Sequence, residues 1–491
     1  QRLRTASSDL ANGRAQEQAY AELEAIVGEL SDTDLSSSLS GFFGSIQDVL
    51  NQPEDLAVRN LAVLRATSLA NDIQRLDSRV RVVQSDTNNQ IAAKADDING
   101  LLDDIAELNV KVVQIEASAT QHSDAIGLRD ERAVALDKLS QIIDIQAVEQ
   151  ENGSVTVFVA GDYLVFDGNT RPVVTAYVNE DGLNKAEIRL EGINKTLPAV
   201  TGELAGLLQA RDEILGGFLQ QLDGLSQTLI YEFNKVYSSG QGLVGHDSLA
   251  SEFTVDDVDA ALDQTGLAFT PVNGSFQVQV LNKQTGLTQT KDVLVRLNGL
   301  DDDTTLTSLA AALDAIDGLS ASVTNSRALN IQADSGNVQF AFAEDTSGVL
   351  AALGLGTFFR GTGASDIYVD ADVRANPAKF AASRGGIGVD TDNAVLLAGF
   401  YDQPLESQGG ASLAVMYDRM IADTTQGAAV AKAVTDGFDV FYQTLNAQNL
   451  AVSGVSIDEE AVRMIQYQRA FQASAKFIQT ADELLQILVN L

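Results

Sequence analysis

Nothing interrupts the chain between Val455 and its last residue, Leu491. No Gly and no Pro falls there, so a helix begun in this stretch runs to the end. Ser456 and Glu459 stand at capping-box spacing, the Ser456 hydroxyl accepting from the Glu459 N–H while the carboxylate reaches back to the start of the turn. Asp458, Glu459 and Glu460 put negative charge at the positive end of the helix dipole. Ile457, Met464, Phe471, Ile478 and Leu485 recur every seven residues, with Ala461, Ala475 and Leu488 at intermediate offsets. That spacing lays an apolar stripe along a helix of about 50 Å. One compact domain does not cover such a stripe; a second helix of similar length does. The pattern leaves two readings, a coiled-coil seam closed within the chain or one closed by other subunits. In the second, Met464, Phe471, Ile478, Leu485 and Leu488 bind the neighbours.

The 491 residues, 45% of them hydrophobic, are enough for about three domains. No run reaches eighteen consecutive apolar residues, so no membrane span is expected. The balance of 32 basic against 68 acidic residues gives a net charge of −36, which repels nucleic acid and anionic lipid. Cysteine is absent, which excludes disulfides and thiolate chemistry and suits a chain that unfolds for export. The sequence begins at Gln1 without a signal pattern, and a preceding segment is expected.

Residues 6–30 are patterned as an amphipathic helix, with Ala19, Leu23, Ile26, Val27 and Leu30 on one face. A Ser-rich connector and an apolar segment (Phe42, Phe43, Ile46, Leu50) follow. Pro53 then stands where a helix would open, with Glu54 and Asp55 in its first turn. Leu69, Ile73, Leu76, Val80 and Val83 alternate by four and three. After a one-residue slip near Thr87 the pattern resumes on Ile91, Ile98, Ile105 and Val112, with Leu101, Leu108 and Ile115 at the second heptad position. This predicts a long helix interrupted only at Gly100. A second helix near 124–144 would lie antiparallel to it.

At Val148 the period changes to two. Val155, Val157 and Val159 lead into a Gly161-Asp162 turn, and Val173, Val174, Val178, Ile188 and Leu190 extend the hairpin into a small sheet. Helical spacing returns at about 202–237. A β-rich unit then spans roughly 253–370, with a helix from Thr307 to Asp317. Residues 361–410 are loop-rich, and the chain is helical from Gly410 onward. The expected class is therefore α+β multidomain: an elongated helical bundle built from both chain ends, with two inserted β-rich domains. Its parts are residues 1–147, 201–250 and 373–491 for the bundle, 148–200 for the small β insert and 251–372 for the outer β/α domain.

The run QYQRAFQASAKFIQTADELLQILVNL, with SGVSIDEEAVRM before it, resembles the carboxy-terminal segment shared by flagellar axial proteins. FFGSIQDVLNQPEDLAVRNLAVLRATSLAND, NNQIAAKADDINGLLDDIAELN and LRDERAVALDKLS resemble the helical region of the superfamily's hook-associated members. NGSFQVQVLNKQTG and FAEDTSGVLAALGLGTFF resemble their outer domain. The resemblance implies a secreted structural protein of the bacterial flagellum, serving motility as an adaptor between hook and filament. It implies the flagellar hook protein, a second hook–filament junction protein, copies of the chain in a ring or helical layer, and an export chaperone on the C-terminal helix as partners. Nucleic acid, membrane and cofactors are not among them. Two departures stand out: the family's amino-terminal helix is absent, and Tyr237 stands where the family has His. Another axial protein, of the hook or of the filament side of the junction, is the alternative within the superfamily.

Signs of catalysis are sparse. His122 and His246 are the only histidines; neither has a second at metal-ligand spacing, and both are expected to be exposed. No G-x-x-x-x-G-K-[ST] loop or G-x-S-x-G elbow is present. Asp301, Asp302 and Asp303 lack the glycine and glutamate of a calcium loop and are expected to cap the following helix. A secreted hydrolase or carbohydrate-binding protein would need a site in the outer domain, where Phe358, Phe359 and Tyr368 cluster in sequence. No enzyme is expected.

Overall fold

The structure, a computed structural model, describes residues 1–28, 35–118, 125–180, 182–388, 390–453 and 457–489. The chain opens with helices α1 (Arg2–Gly28), α2 (Leu35–Asn51), α3 (Leu56–Ser118) and α4 (Ile126–Ile142). α1 buries Ala6, Leu10, Ala19 and Leu23; Leu30 lies outside the described residues. Pro53 does not open a helix. It sits in a turn, and Asp55 caps α3 by accepting from the Ala57 N–H at 2.7 Å, which satisfies a donor that Pro53 could not.

α3 runs unbroken for 63 residues, about 95 Å, through both Thr87 and Gly100. Its first half buries Leu69, Ile73, Leu76 and Val80 as the spacing predicts. In the second half Ile91, Ile98, Ile105 and Val112 are buried, but the companion positions are Ala95, Leu102 and Asn109. Leu101 and Leu108 are only half-buried and Ile115 is exposed. A pure helix-on-helix heptad mistakes the partner here. Besides α4, this half carries strands: β1 (Gln146–Glu149), β2 (Val155–Val159), β3 (Asp162–Phe166) and β4 (Asn169–Thr170) form one antiparallel sheet. β5 (Val173–Glu180), β6 (Leu183–Leu190) and β7 (Lys195–Thr196) form another.

Three asparagines on α3 fasten the helix to strand backbones. Asn109 Nδ2 donates to Val155 O at 2.8 Å and its Oδ1 accepts from Val155 N at 2.9 Å. Asn99 holds Val173 N and O in the same way, each at 2.8 Å. Asn88 donates to Asn184 O and accepts from Ala186 N. Each amide satisfies one strand donor and one strand acceptor that the sheet leaves unpaired. Asn109 Oδ1 also accepts from the buried Arg132. Asn109→Leu strands all these groups and is expected to cost about 1–3 kcal/mol, read as a lowered urea midpoint with faster amide exchange at Val155.

α5 (Glu203–Gln209), α6 (Gly216–Thr228) and α7 (Asn234–Ser238) run on through π turns at Ala210–Leu215 and Leu229–Phe233. The π turns, α6 and α7 cross the first half of α3 and share its core, whereas Leu204 and Leu207 of α5 join the core around its second half. The outer unit follows, with β8 (Ser248–Ala250), β9 (Gly274–Asn282), β10 (Leu287–Val295), α8 (Leu306–Asp314), β11 (Leu319–Val323), β12 (Leu329–Ala333) and β13 (Val338–Ala343). Its two sheets, ordered β10-β9-β13 and β11-β12-β8, enclose their own core with α8. The cap of α8 is Thr305, whose hydroxyl accepts from Ser308 N at 3.0 Å. Asp303 instead closes the preceding turn by accepting from Asn298 N and Gly299 N, so the aspartate run is not the helix cap that was expected.

α9 (Val349–Leu353), β14 (Phe359–Arg360), β15 (Tyr368–Val369), α10 (Ala371–Ala375) and α11 (Asp392–Gly399) lead back to the bundle. Phe358 and Phe359 are buried there against Phe42 and Phe233. They form no exposed platform for a sugar, and Asn234 clamps their backbone as the α3 asparagines clamp theirs. α12 (Leu413–Ser453) then packs along α1, and α13 (Ile457–Val489) ends the chain. A Cβ on Gly427 would fall 2.4 Å from Tyr20 Oη, and one on Gly13 2.9 Å from Thr435 Oγ1, so glycine is what lets α1 and α12 approach. The molecule is α+β as expected, with helices from both ends of the chain in contact and two strand-rich units inserted between bundle helices.

Candidate assembly surface

α12 is amphipathic only for part of its length. Leu413, Tyr417, Met420, Thr424, Ala431 and Thr435 are buried against α1 and α6, whereas Val440, Phe441 and Leu450 farther along are exposed. α13 carries the exposed apolar surface onward. Met464 is 58%, Phe471 76%, Ile478 64% and Leu485 58% exposed. The helix aligns them on one stripe, and among the described residues no other part of the chain buries them. Ser456 lies outside the described residues, as do the side chains of Ile457, Glu459 and Leu488. The heptad reading missed Phe477 and Leu484, also exposed, each one residue before a stripe position. Their own seven-residue spacing was the available signal, and they widen the stripe to a band. Exposed contiguous apolar surface of this kind marks a place where another molecule docks.

His246 is not an ordinary exposed side chain. It is half-buried where the outer unit meets the bundle, its ring against Phe340 and its Nδ1 buried without a partner. Burial holds its pKa down to about 4 from 6.5, and nearby Lys379 pushes the same way. The unfolded chain therefore takes up this proton as pH falls below 6.5, while the folded chain resists until about 4. This contribution to stability is complete above pH 6.5 and is lost across that window. His246→Gln is expected to flatten that limb of the denaturation midpoint against pH. His122 lies outside the described residues. Among the described residues, no group of three or more His, Asp or Glu side chains is placed to hold a metal ion, and no helix is long and apolar enough to cross a membrane.

Residues 20–251 match the flagellar hook-associated protein FlgK helical domain, and residues 446–491 match the flagellar basal body rod FlgEFG protein C-terminal segment. The chain is 24% identical to flagellar hook-associated protein 1 of Escherichia coli, over 94% of this chain and 81% of that protein. It is 25% identical to the Salmonella typhimurium protein of the same name, over 96% and 84%. The flagellar hook junction protein FlgK from Burkholderia pseudomallei superposes with a TM-score of 0.58 at 15% identity, covering 93% of this chain and 100% of that one, and so shares the fold. The helical region and the carboxy-terminal segment match flagellar axial models, and the similarity to flagellar hook-associated protein 1 extends over most of the chain.

Proposed function

We propose that this chain is the structural adaptor between flagellar hook and filament, exported to the extracellular flagellum and working by packing rather than turnover. The observation that carries the reading is the apolar band of α13, presented to solvent along about 40 Å of helix. Met464, Phe471, Ile478, Leu485 and Leu488 would be covered by neighbouring subunits in the assembled tube: the hook protein, a second junction protein and copies of this chain in a ring or helical layer. Before assembly the same band is a liability in solution, and an export chaperone on α13 would cover it. In this scheme the bundle (1–147, 201–250, 373–491) holds the molecule in the layer, while the inserts (148–200 and 251–372) face outward.

A cryo-EM reconstruction of hook–filament preparations from cells carrying this chain tests the proposal. The expected map shows a layer of the chain between hook and filament with α13 packed against helices of other subunits. A hook joined to its filament with no such layer would overturn it.

A further inference from the structure

Two strand edges on opposite parts of the molecule are complementary in backbone, side chain and charge. The first is the outer edge of β10, the end strand of its sheet. Leu287 to Asp292 are all exposed, and Leu294 is 61% exposed. Beside this edge, α8 leaves a groove of about 480 Å³ lined by Lys291, Leu294, Leu309, Ala312 and Ile316. Arg296 N donates to Thr304 Oγ1 at 2.9 Å, and Arg296 O accepts from Thr304 N at 2.7 Å. The backbone of Arg296 thus faces away from β9. By strand alternation so do the N–H and C=O of Leu294, Asp292 and Thr290.

The second edge is that of β5, the end strand of the small insert's sheet. Val173 N and O both turn outward to Asn99, so Thr175, Tyr177 and Asn179 turn outward as well. α3 covers the edge at Val173 and leaves Tyr177 to Glu180 exposed, with Tyr177 at 62%. These residues form the tip of the β5–β6 hairpin.

We infer that the β5 edge of one copy adds as an antiparallel strand to the β10 edge of the next, entering the groove beside α8. Outward groups must meet outward groups, which restricts the register to every second alignment. One of these sets Tyr177 opposite Leu294, Asn179 opposite Asp292, Val178 opposite Val293 and Glu180 opposite Lys291. It joins two highly exposed apolar side chains and brings Lys291 beside Glu180, whose exposed carboxylate accepts from Lys185 at 3.0 Å and has a second oxygen for the new cation. Moving two residues one way sets Tyr177 on Asp292 and Glu180 on Gln289; moving two the other way runs Tyr177 into Arg296, whose edge Thr304 already covers.

The pairing is between copies. The β5 edge is anchored at Asn99 of α3, whereas the segment joining the outer unit to the bundle is held at Gln74, which donates to Ile367 O at 2.7 Å. Those anchors lie about 38 Å apart along one helix. A contact between unlike patches repeats head to tail and generates a ring or a helical layer. The inference therefore rests on the proposed layer of copies, and it supplies that layer with a lateral bond independent of α13.

The absence of cysteine makes the test clean. Tyr177→Cys and Leu294→Cys chains are co-expressed, flagella are isolated and oxidised, and junction material is run without reductant. A hydrogen-bonded antiparallel pair holds its Cα atoms about 5.5 Å apart, within disulfide reach. The expected product is a dimer only where both variants are present, and a ladder of multimers from the chain carrying both substitutions. Glu180→Lys in that background is expected to lower the yield about fivefold, and Lys291→Glu to restore it. A layer that forms without the mixed dimer, or that gives dimers of either single variant alone, overturns the strand pairing and leaves the adaptor role standing. No layer of this chain at all overturns both.

Discussion

Phe471→Asp together with Ile478→Asp is expected to abolish incorporation of the chain between hook and filament while leaving its melting curve unchanged. The two side chains are 76% and 64% exposed, so the folded monomer loses no packing when they are replaced. In an assembled tube they would be buried, and each buried carboxylate without a partner is costly enough to defeat a helix–helix seam. Loss of motility at unchanged Tm separates a docking surface from a folding element. Motility equal to that of the unmodified chain would rule the band out as the assembly surface. A parallel loss of Tm would show that α13 packs onto its own chain.

The largest effect on stability is expected at Phe233. It lies within 6.5 Å, centroid to centroid, of Phe42, Phe43, Tyr237, Phe358, Phe359 and Phe400, and it is fully buried. These rings come from α2, α7, the start of β14 with the residue before it, and the residue after α11. One side chain therefore joins parts of the chain that meet only on folding. Phe233→Ala removes the ring and leaves a cavity that so many rigid neighbours do not fill, a loss of about 3–5 kcal/mol. The check is the urea midpoint of the full chain. A shift below about 1 kcal/mol would mean that the cluster repacks around the gap.

Much of this architecture is legible in the sequence because its elements are long. Leu69, Ile73, Leu76 and Val80 announce α3 without ambiguity, and the alternating valines announce β2. What the pattern cannot carry is the identity of the facing element. A heptad reading assumes a helix opposite, so it selected Leu101 and Leu108 where the structure buries Leu102 and Asn109. A polar residue such as Asn109 scores as surface in any apolar count. Its role appears only once Val155 is seen to need a partner. Phe358 and Phe359 show the same limit from the other side. Adjacent in sequence to the outer unit, they belong to the bundle core because tertiary packing draws them there. The apolar stripe of α13 was readable, but whether the chain itself covers it was not; periodicity reports a buried face without naming what buries it.

α3 has a mechanical meaning. Its first half lines one hydrophobic core and its second half lines another, with no break between them. A load applied to either core passes straight into the other along a strut of about 95 Å. Neither core can let go without severing the support of its neighbour, so the bundle and the small insert move as one stiff body, as befits a coupling that must turn without yielding.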